Sequence, residues 1–122
     1  MKTHCITGSW REAYRIPKIE QDVRVDIQNI FNRGDAIVTG GAPGVDFYAT
    51  DEIMQLDPSA ARVTVILPIP LEKMIAHFRC RMSEGVILPA HRIEENIALL
   101  EKIACACPGA VQDAGFEEAN KD

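Results

Sequence analysis

Ala36-Ile37-Val38-Thr39-Gly40-Gly41-Ala42-Pro43-Gly44-Val45-Asp46 is the stretch whose reading decides the fold. Its first four residues are a nearly all-apolar run, as expected of a strand covered on both faces in a parallel sheet. The next five hold three glycines. Val45, Ala49, Ile53 and Leu56 then recur on one face of a helix expected over 44–56, with Asp57-Pro58 as its stop. A strand that passes through a glycine-rich turn into a helix is where α/β proteins bind phosphate. The glycines remove Cβ atoms that would hold a ligand off the backbone, and the first helical turn offers unpaired N–H groups.

The pattern continues on both sides. His4 to Ser9 is a short β-prone run ended by a glycine turn, and a helix begins near Pro17, a favoured first-turn residue. Ile19, Val23, Ile27, Ile30 and Phe31 form its apolar stripe, and Gly34 closes it as a left-handed cap. Arg62 to Leu67 reads as a third strand ended by Pro68. Two right-handed crossovers then make a parallel three-stranded sheet. Beyond it, Leu71, Ile75, Phe78 and Met82 form one helical stripe ending at Gly85, and Ile93, Ile97, Leu100 and Ile103 form another. The tetrapeptide V-I-L-P occurs at 65–68 and again at 86–89, where the surrounding stripes favour a loop. The tail from Pro108 carries no strong period and reads as loose. The expected fold is therefore α/β: a three-layer Rossmann-like parallel sheet with a β-α-β-α-β core, followed by two helices, in one domain over 1–122. Three strands are few for such a sheet, so further strands after Asp122 or a homo-oligomer are expected to complete it, with the helices over 70–85 and 93–103 as the interface.

Composition narrows the partners. A net charge of −5 and a pI near 5.2 argue against direct, tight DNA binding through many basic side chains, while leaving room for a small anionic ligand. No stretch is apolar and long enough to cross a bilayer, and Met1-Lys2-Thr3-His4 runs almost directly into a strand rather than a signal segment, so a cytoplasmic location without membrane contact is expected. The four cysteines, Cys5, Cys80, Cys105 and Cys107, then read as reduced thiols. Cys105-x-Cys107 lacks further ligands at suitable spacing, and no metal or cofactor is expected.

Two loops carry the candidate chemistry. Thr7-Gly8-Ser9-Trp10-Arg11 follows strand one and lies, in a parallel sheet, on the same edge as Gly40 to Gly44, where open α/β sheets bind ligands. Ser9 is placed to donate to a phosphate and Arg11 to pair with one. Gly40 and Gly41 let the backbone approach a phosphate, and Gly44 allows close packing at the helix start. Asp46 has two open roles: to cap helix amides, or to face the ligand and accept from a ribose hydroxyl or base. The loop matches neither G-x-G-x-x-G nor the G-K-[ST] ending of a P-loop, which argues against triphosphate hydrolysis by that machinery.

Gly8-Ser9-Trp10-Arg11 together with Thr39-Gly40-Gly41-Ala42-Pro43-Gly44-Val45-Asp46 resembles the SLOG superfamily of Rossmann-like proteins, which also holds the lysine-decarboxylase-like LOG proteins and the DNA-processing protein A group. The resemblance covers roughly Cys5 to Pro68. It implies a pocket for a nucleotide or nucleotide-derived ligand lined by Gly8, Ser9, Arg11, Gly40, Gly41, Ala42, Gly44, Val45 and Asp46, with Trp10 inserted before the arginine. It also implies further C-terminal elements. The LOG pattern P-G-G-x-G-T followed by glutamates is replaced here by G-G-A-P-G-V-D, with Val45 in place of the threonine and Asp51-Glu52 about two turns into the helix.

The leading expectation is a binding or sensing protein. The alternatives are an enzyme cleaving an N-glycosidic or phosphate-ester bond of a nucleotide, with Asp46 or Glu52 as acid/base, and an interaction module linked to DNA processing. Lys73, His77 and Arg81 form a basic strip that reads as a solvated helix face. Tyr14 either stacks on a base or packs, and His4 shows no partner in the sequence.

Overall fold

The computed structural model describes residues 1–8, 10–83 and 90–116. In chain order the elements are β1 (Thr3–Ile6), α1 (Trp10–Arg15), α2 (Pro17–Asn32), β2 (Ala36–Thr39), α3 (Val45–Leu56), β3 (Val63–Leu67), α4 (Leu71–Ser83), α5 (Ala90–Ala106), a 3-10 turn (Pro108–Ala110) and β4 (Val111–Asp113). The strands pair in the order β1-β2-β3-β4, all parallel. This is the expected class, an α/β protein with a Rossmann-like parallel sheet whose β-α-β-α-β core is followed by two helices.

The sheet departs from expectation in its strand count. Val111, Gln112 and Asp113 pair with Val65, Ile66 and Leu67 as a fourth strand, and the amides of Ala114 and Phe116 extend the ladder to the carbonyls of Leu67 and Pro68 at 2.8 and 3.0 Å. The tail is therefore tied to β3 as far as Phe116. So short a run has no period to read and becomes a strand through the pairing offered by its neighbour. The second V-I-L-P lies outside the described residues.

Helix boundaries follow local chemistry. Ile16 is extended at φ −114° because Pro17 disfavours a helical residue before it, and this separates α1 from α2. Gly34, at φ +81°, ends α2: its amide donates to Phe31 O and the Asp35 amide to Ile30 O, the paired bonds of a left-handed C-cap. The helix over Trp10–Arg15 was not expected; it is only one and a half turns long and is held by the buried Ala13, which is 1% exposed.

α3 is the central helix. Of its expected buried face Ala49 and Ile53 are buried, Val45 is half-buried and Leu56 is 36% exposed, while burial extends to Asp46, Phe47, Tyr48, Thr50, Glu52 and Met54, because α2 and α5 pack on its flanks while it lies against β1, β2 and β3. Thr39 of β2 joins Thr50 of α3 through a hydroxyl pair at 3.2 Å, which marks the sheet face that α3 covers. On that face lie the in-register rows His4–Ile37–Val63 and Ile6–Thr39–Val65–Val111. The other face, with Cys5–Val38–Thr64 and Ile66–Gln112, is exposed to half-buried, and Ile66 is 44% exposed. β2 thus alternates in burial and is not covered equally on both faces. α5 seals the end of the core, where the expected stripe Ile93, Ile97, Leu100 and Ile103 is 0–3% exposed.

Candidate functional site

Parallel register brings Ile6, the last residue of β1, beside Thr39, the last of β2, so the loops after both strands leave the same sheet edge. They touch. A Cβ on Gly8 would lie 2.7 Å from Val45 Cγ2 and 3.0 Å from Val45 Cβ, so only glycine lets the first loop approach the start of α3 this closely. Ser9 lies outside the described residues, as does the side chain of Arg11.

Within the second loop the glycines have different tasks. Gly41 is buried with φ +73°, and its α-carbon faces inward: a Cβ would meet Leu67 Cδ2 at 2.6 Å and Val65 Cγ1 at 2.8 Å. Close packing on the core and the left-handed backbone require glycine there, where the sequence suggested phosphate approach. Its carbonyl accepts from Asn96 Nδ2 of α5 at 2.9 Å, which ties the loop to the far half of the chain. Gly40 is the exposed member, with only Asp46 Oδ2, at 3.2 Å, against its Cβ position. Gly44 precedes α3 at φ +96°, and no side chain caps the helix.

Asp46 fills part of the cradle itself. Its Oδ2 accepts the amides of Gly40 at 3.2 Å and Ala42 at 3.4 Å, so it folds back onto the loop and leaves the helix start open. The residue is 7% exposed, and its Oδ1 is buried with no hydrogen-bond partner. Burial pushes its carboxyl above the ordinary carboxylate range, against the pull of the Ala42 and Gly40 amides.

Tyr14 of α1 completes the wall. Its hydroxyl accepts the Gly44 amide at 2.9 Å, and its ring meets Tyr48 edge-on at a centroid distance of 5.6 Å. Arg92 of α5 lies over the same ring, 4.9 Å from its centroid. Burial, opposed by the Gly44 amide, pushes the Tyr14 phenol up to about 12, so it holds its proton at neutral pH.

The two carboxylates proposed as acid/base do not converge. Six residues separate them on one helix, about 240° of rotation at 100° per residue, and Glu52 faces α2. Arg24 Nη1 donates to Glu52 Oε1 at 3.1 Å and to Asp51 Oδ2 at 2.9 Å, while Gln28 donates to Glu52 Oε2 at 3.0 Å. Lys73 is exposed, and His77 is half-buried beside Phe78. His4 does have a partner: its Nε2 lies 3.0 Å from Asp35 Oδ2 at the opposite edge of the sheet.

Arg92 and Asn96 were absent from the expected site, and Tyr14 was considered there only as a ring that stacks on a base or packs. Asn96 had a signal, a polar residue beside Ile97 on the apolar face of α5 that is 1% exposed; buried amides of this kind hold specific partners. Among the described residues no group of three or more His, Cys, Asp or Glu side chains is disposed to hold a metal ion, and no helix is long and apolar enough to cross a membrane. Searches of protein-family models, curated proteins and solved structures each returned no match to this chain.

Proposed function

We propose that this protein binds a nucleotide or nucleotide-derived ligand in the crevice between the loops after β1 and β2, in a sensing or binding role. The observation that carries the reading is the buried, unpartnered Oδ1 of Asp46 beside the uncapped start of α3. The uncapped helix amides suit a phosphate, and Oδ1, which lies beneath the surface, would accept from a ribose hydroxyl or a base N–H when ligand binding turns the carboxyl outward. The SLOG resemblance of the same two loops supports the same ligand class. The reading includes a homo-oligomer in the cytoplasm.

An enzymatic reading has one observation in its favour. A carboxyl that burial lifts above the ordinary carboxylate range is the kind of group that exchanges a proton with a leaving group, which would make Asp46 the acid/base of an N-glycosidic or phosphate-ester cleavage. Glu52 is engaged by Arg24 and Gln28 and is the weaker candidate for that role.

Mass spectrometry of small molecules released from natively purified protein, with thermal melts against nucleoside mono-, di- and triphosphates, cyclic nucleotides and dinucleotides, tests the proposal. A retained nucleotide or a rise in Tm with one of them supports it. A folded protein that releases none and shifts with none would refute it. Release of free base or phosphate from a stabilising nucleotide would favour the enzyme.

A further inference from the structure

We infer that Tyr14 is the phosphate-selecting residue of this crevice, its hydroxyl donating to a phosphate monoester seated at the start of α3 while Asp46 Oδ1 accepts from a hydroxyl of the same ligand. The inference rests on the nucleotide-binding reading above and deepens it from a ligand class to a polarity: a sugar that carries both a phosphate and a free hydroxyl.

The argument is one of unspent hydrogen-bonding capacity. A phenol has one O–H donor besides its acceptor lone pairs. The Gly44 amide occupies a lone pair of Tyr14 Oη at 2.9 Å, and among the described residues the Tyr14 proton has no acceptor. Because that amide belongs to the residue that opens α3, the free proton lies at the helix start, where the first-turn amides have no side-chain cap. The opposite polarity stands on the same helix, since Asp46 is 7% exposed and its Oδ1 has no partner. With Gly40 and Ala42 already donating to Asp46 Oδ2, the loop amides are engaged by the protein's own carboxylate, which directs a phosphate to the helix amides and Tyr14.

Arg92 adds charge to this wall. Its guanidinium over the Tyr14 ring, 4.9 Å from the centroid, brings to the site a cation where the loop has no P-loop lysine. Its ion pair with Glu95 is loose, at 3.5 Å between groups that are 35% and 46% exposed, and leaves the guanidinium free to turn part of its fork to a ligand.

The test is calorimetric titration of the full chain with the four ribonucleosides and their 5′-monophosphates. Wild type is expected to bind a monophosphate at least about tenfold more tightly than its nucleoside, the worth of a hydrogen bond to a charged group. Tyr14→Phe keeps the ring and should bring that ratio to within about threefold, because the removed donor acts on the phosphate alone. A ratio near one in wild type, or equal weakening of nucleoside and monophosphate in Tyr14→Phe, overturns the inference and leaves nucleotide-type binding standing. Failure of every nucleoside and monophosphate to bind wild type overturns the inference, and failure of the di- and triphosphates, cyclic nucleotides and dinucleotides as well removes the wider reading. Arg92→Gln leaves the Tyr14–Gly44 bond in place and should lower the ratio less than Tyr14→Phe does; where Tyr14→Phe does not fold, a wild-type ratio near one still overturns the inference.

Discussion

The carboxylate of Asp46 reaches back six residues to accept the amide of Gly40 at 3.2 Å, so the glycine loop closes around an anion supplied by its own helix. Burial raises the folded-state pKa of this carboxyl, whereas the unfolded chain titrates near about 3.9. The native state therefore binds its proton more tightly than the unfolded state, and stability falls as pH rises from the unfolded value through the raised folded one. Asp46→Asn, whose Oδ1 can still accept from Gly40 and Ala42, should remove that component. Urea unfolding between pH 4 and 7 is expected to show a smaller loss of stability with rising pH in the variant; parallel pH profiles would contradict it.

Gly41→Ala should destabilise the protein by about 2–4 kcal/mol, combining overpacking against Leu67 and Val65 with about 1–2 kcal/mol for a side chain in the left-handed region. Gly40→Ala meets only Asp46 Oδ2 and should cost about 1 kcal/mol or less. Chemical denaturation of the two variants checks the ordering. Equal losses would mean that the loop, and not the core behind it, sets the requirement at position 41.

Glu52→Gln should act on stability and leave any turnover intact. Burial disfavours the Arg24 charge, but its bonds to Asp51, Glu20 and Glu52 outweigh this and hold its pKa above the ordinary value. The Arg24 and Glu52 side chains are 21% and 10% exposed, so loss of this half-buried pair should cost about 1–2 kcal/mol, between the surface and buried limits. A Tm shift with unchanged ligand affinity is the expected result. A variant of wild-type stability that has lost affinity would place Glu52 in the site.

Asp35 gives the opposite acid response to Asp46. Its bond to His4, with the Lys2 amide second, holds its carboxyl below the ordinary range. The stability it contributes is thus present above the unfolded pKa of about 3.9 and is lost as pH falls through the lowered folded value. Asp35→Asn should flatten acid unfolding below pH 4 with little change in slope between pH 5 and 7, read by circular dichroism across that range.

Much of this arrangement was legible in the residues. The stripe of α5, the boundaries of β2 and α3, and the left-handed cap at Gly34 follow from periodicity and from glycine's backbone freedom, which are local properties. The meeting of the Gly8 and Gly40 loops follows from parallel connectivity alone. What escaped was set by distant partners. β4 exists because β3 offers an edge, α1 because Ala13 finds a buried seat, and the His4–Asp35 pair because β1 and β2 lie side by side. Gly41 was legible as a glycine position, but Leu67 and Val65 supply the reason, and no local pattern connects them. Tyr14 was legible only as a ring that stacks or packs, because the Gly44 amide that its hydroxyl accepts lies thirty residues away.

The bond from Asn96 to the Gly41 carbonyl joins residues fifty-five positions apart, and this gives the loop a place in time as well as in space. A nascent or refolding chain that has formed only β1, β2 and α3 lacks the clasp that fixes Gly41, and contacts of high sequence separation form late because their loop closure must come first. The crevice is then among the last parts of the molecule to set. In pulse-labelled hydrogen exchange, the Gly40 and Ala42 amides should acquire protection together with those of α5, after the amides of the α3 interior.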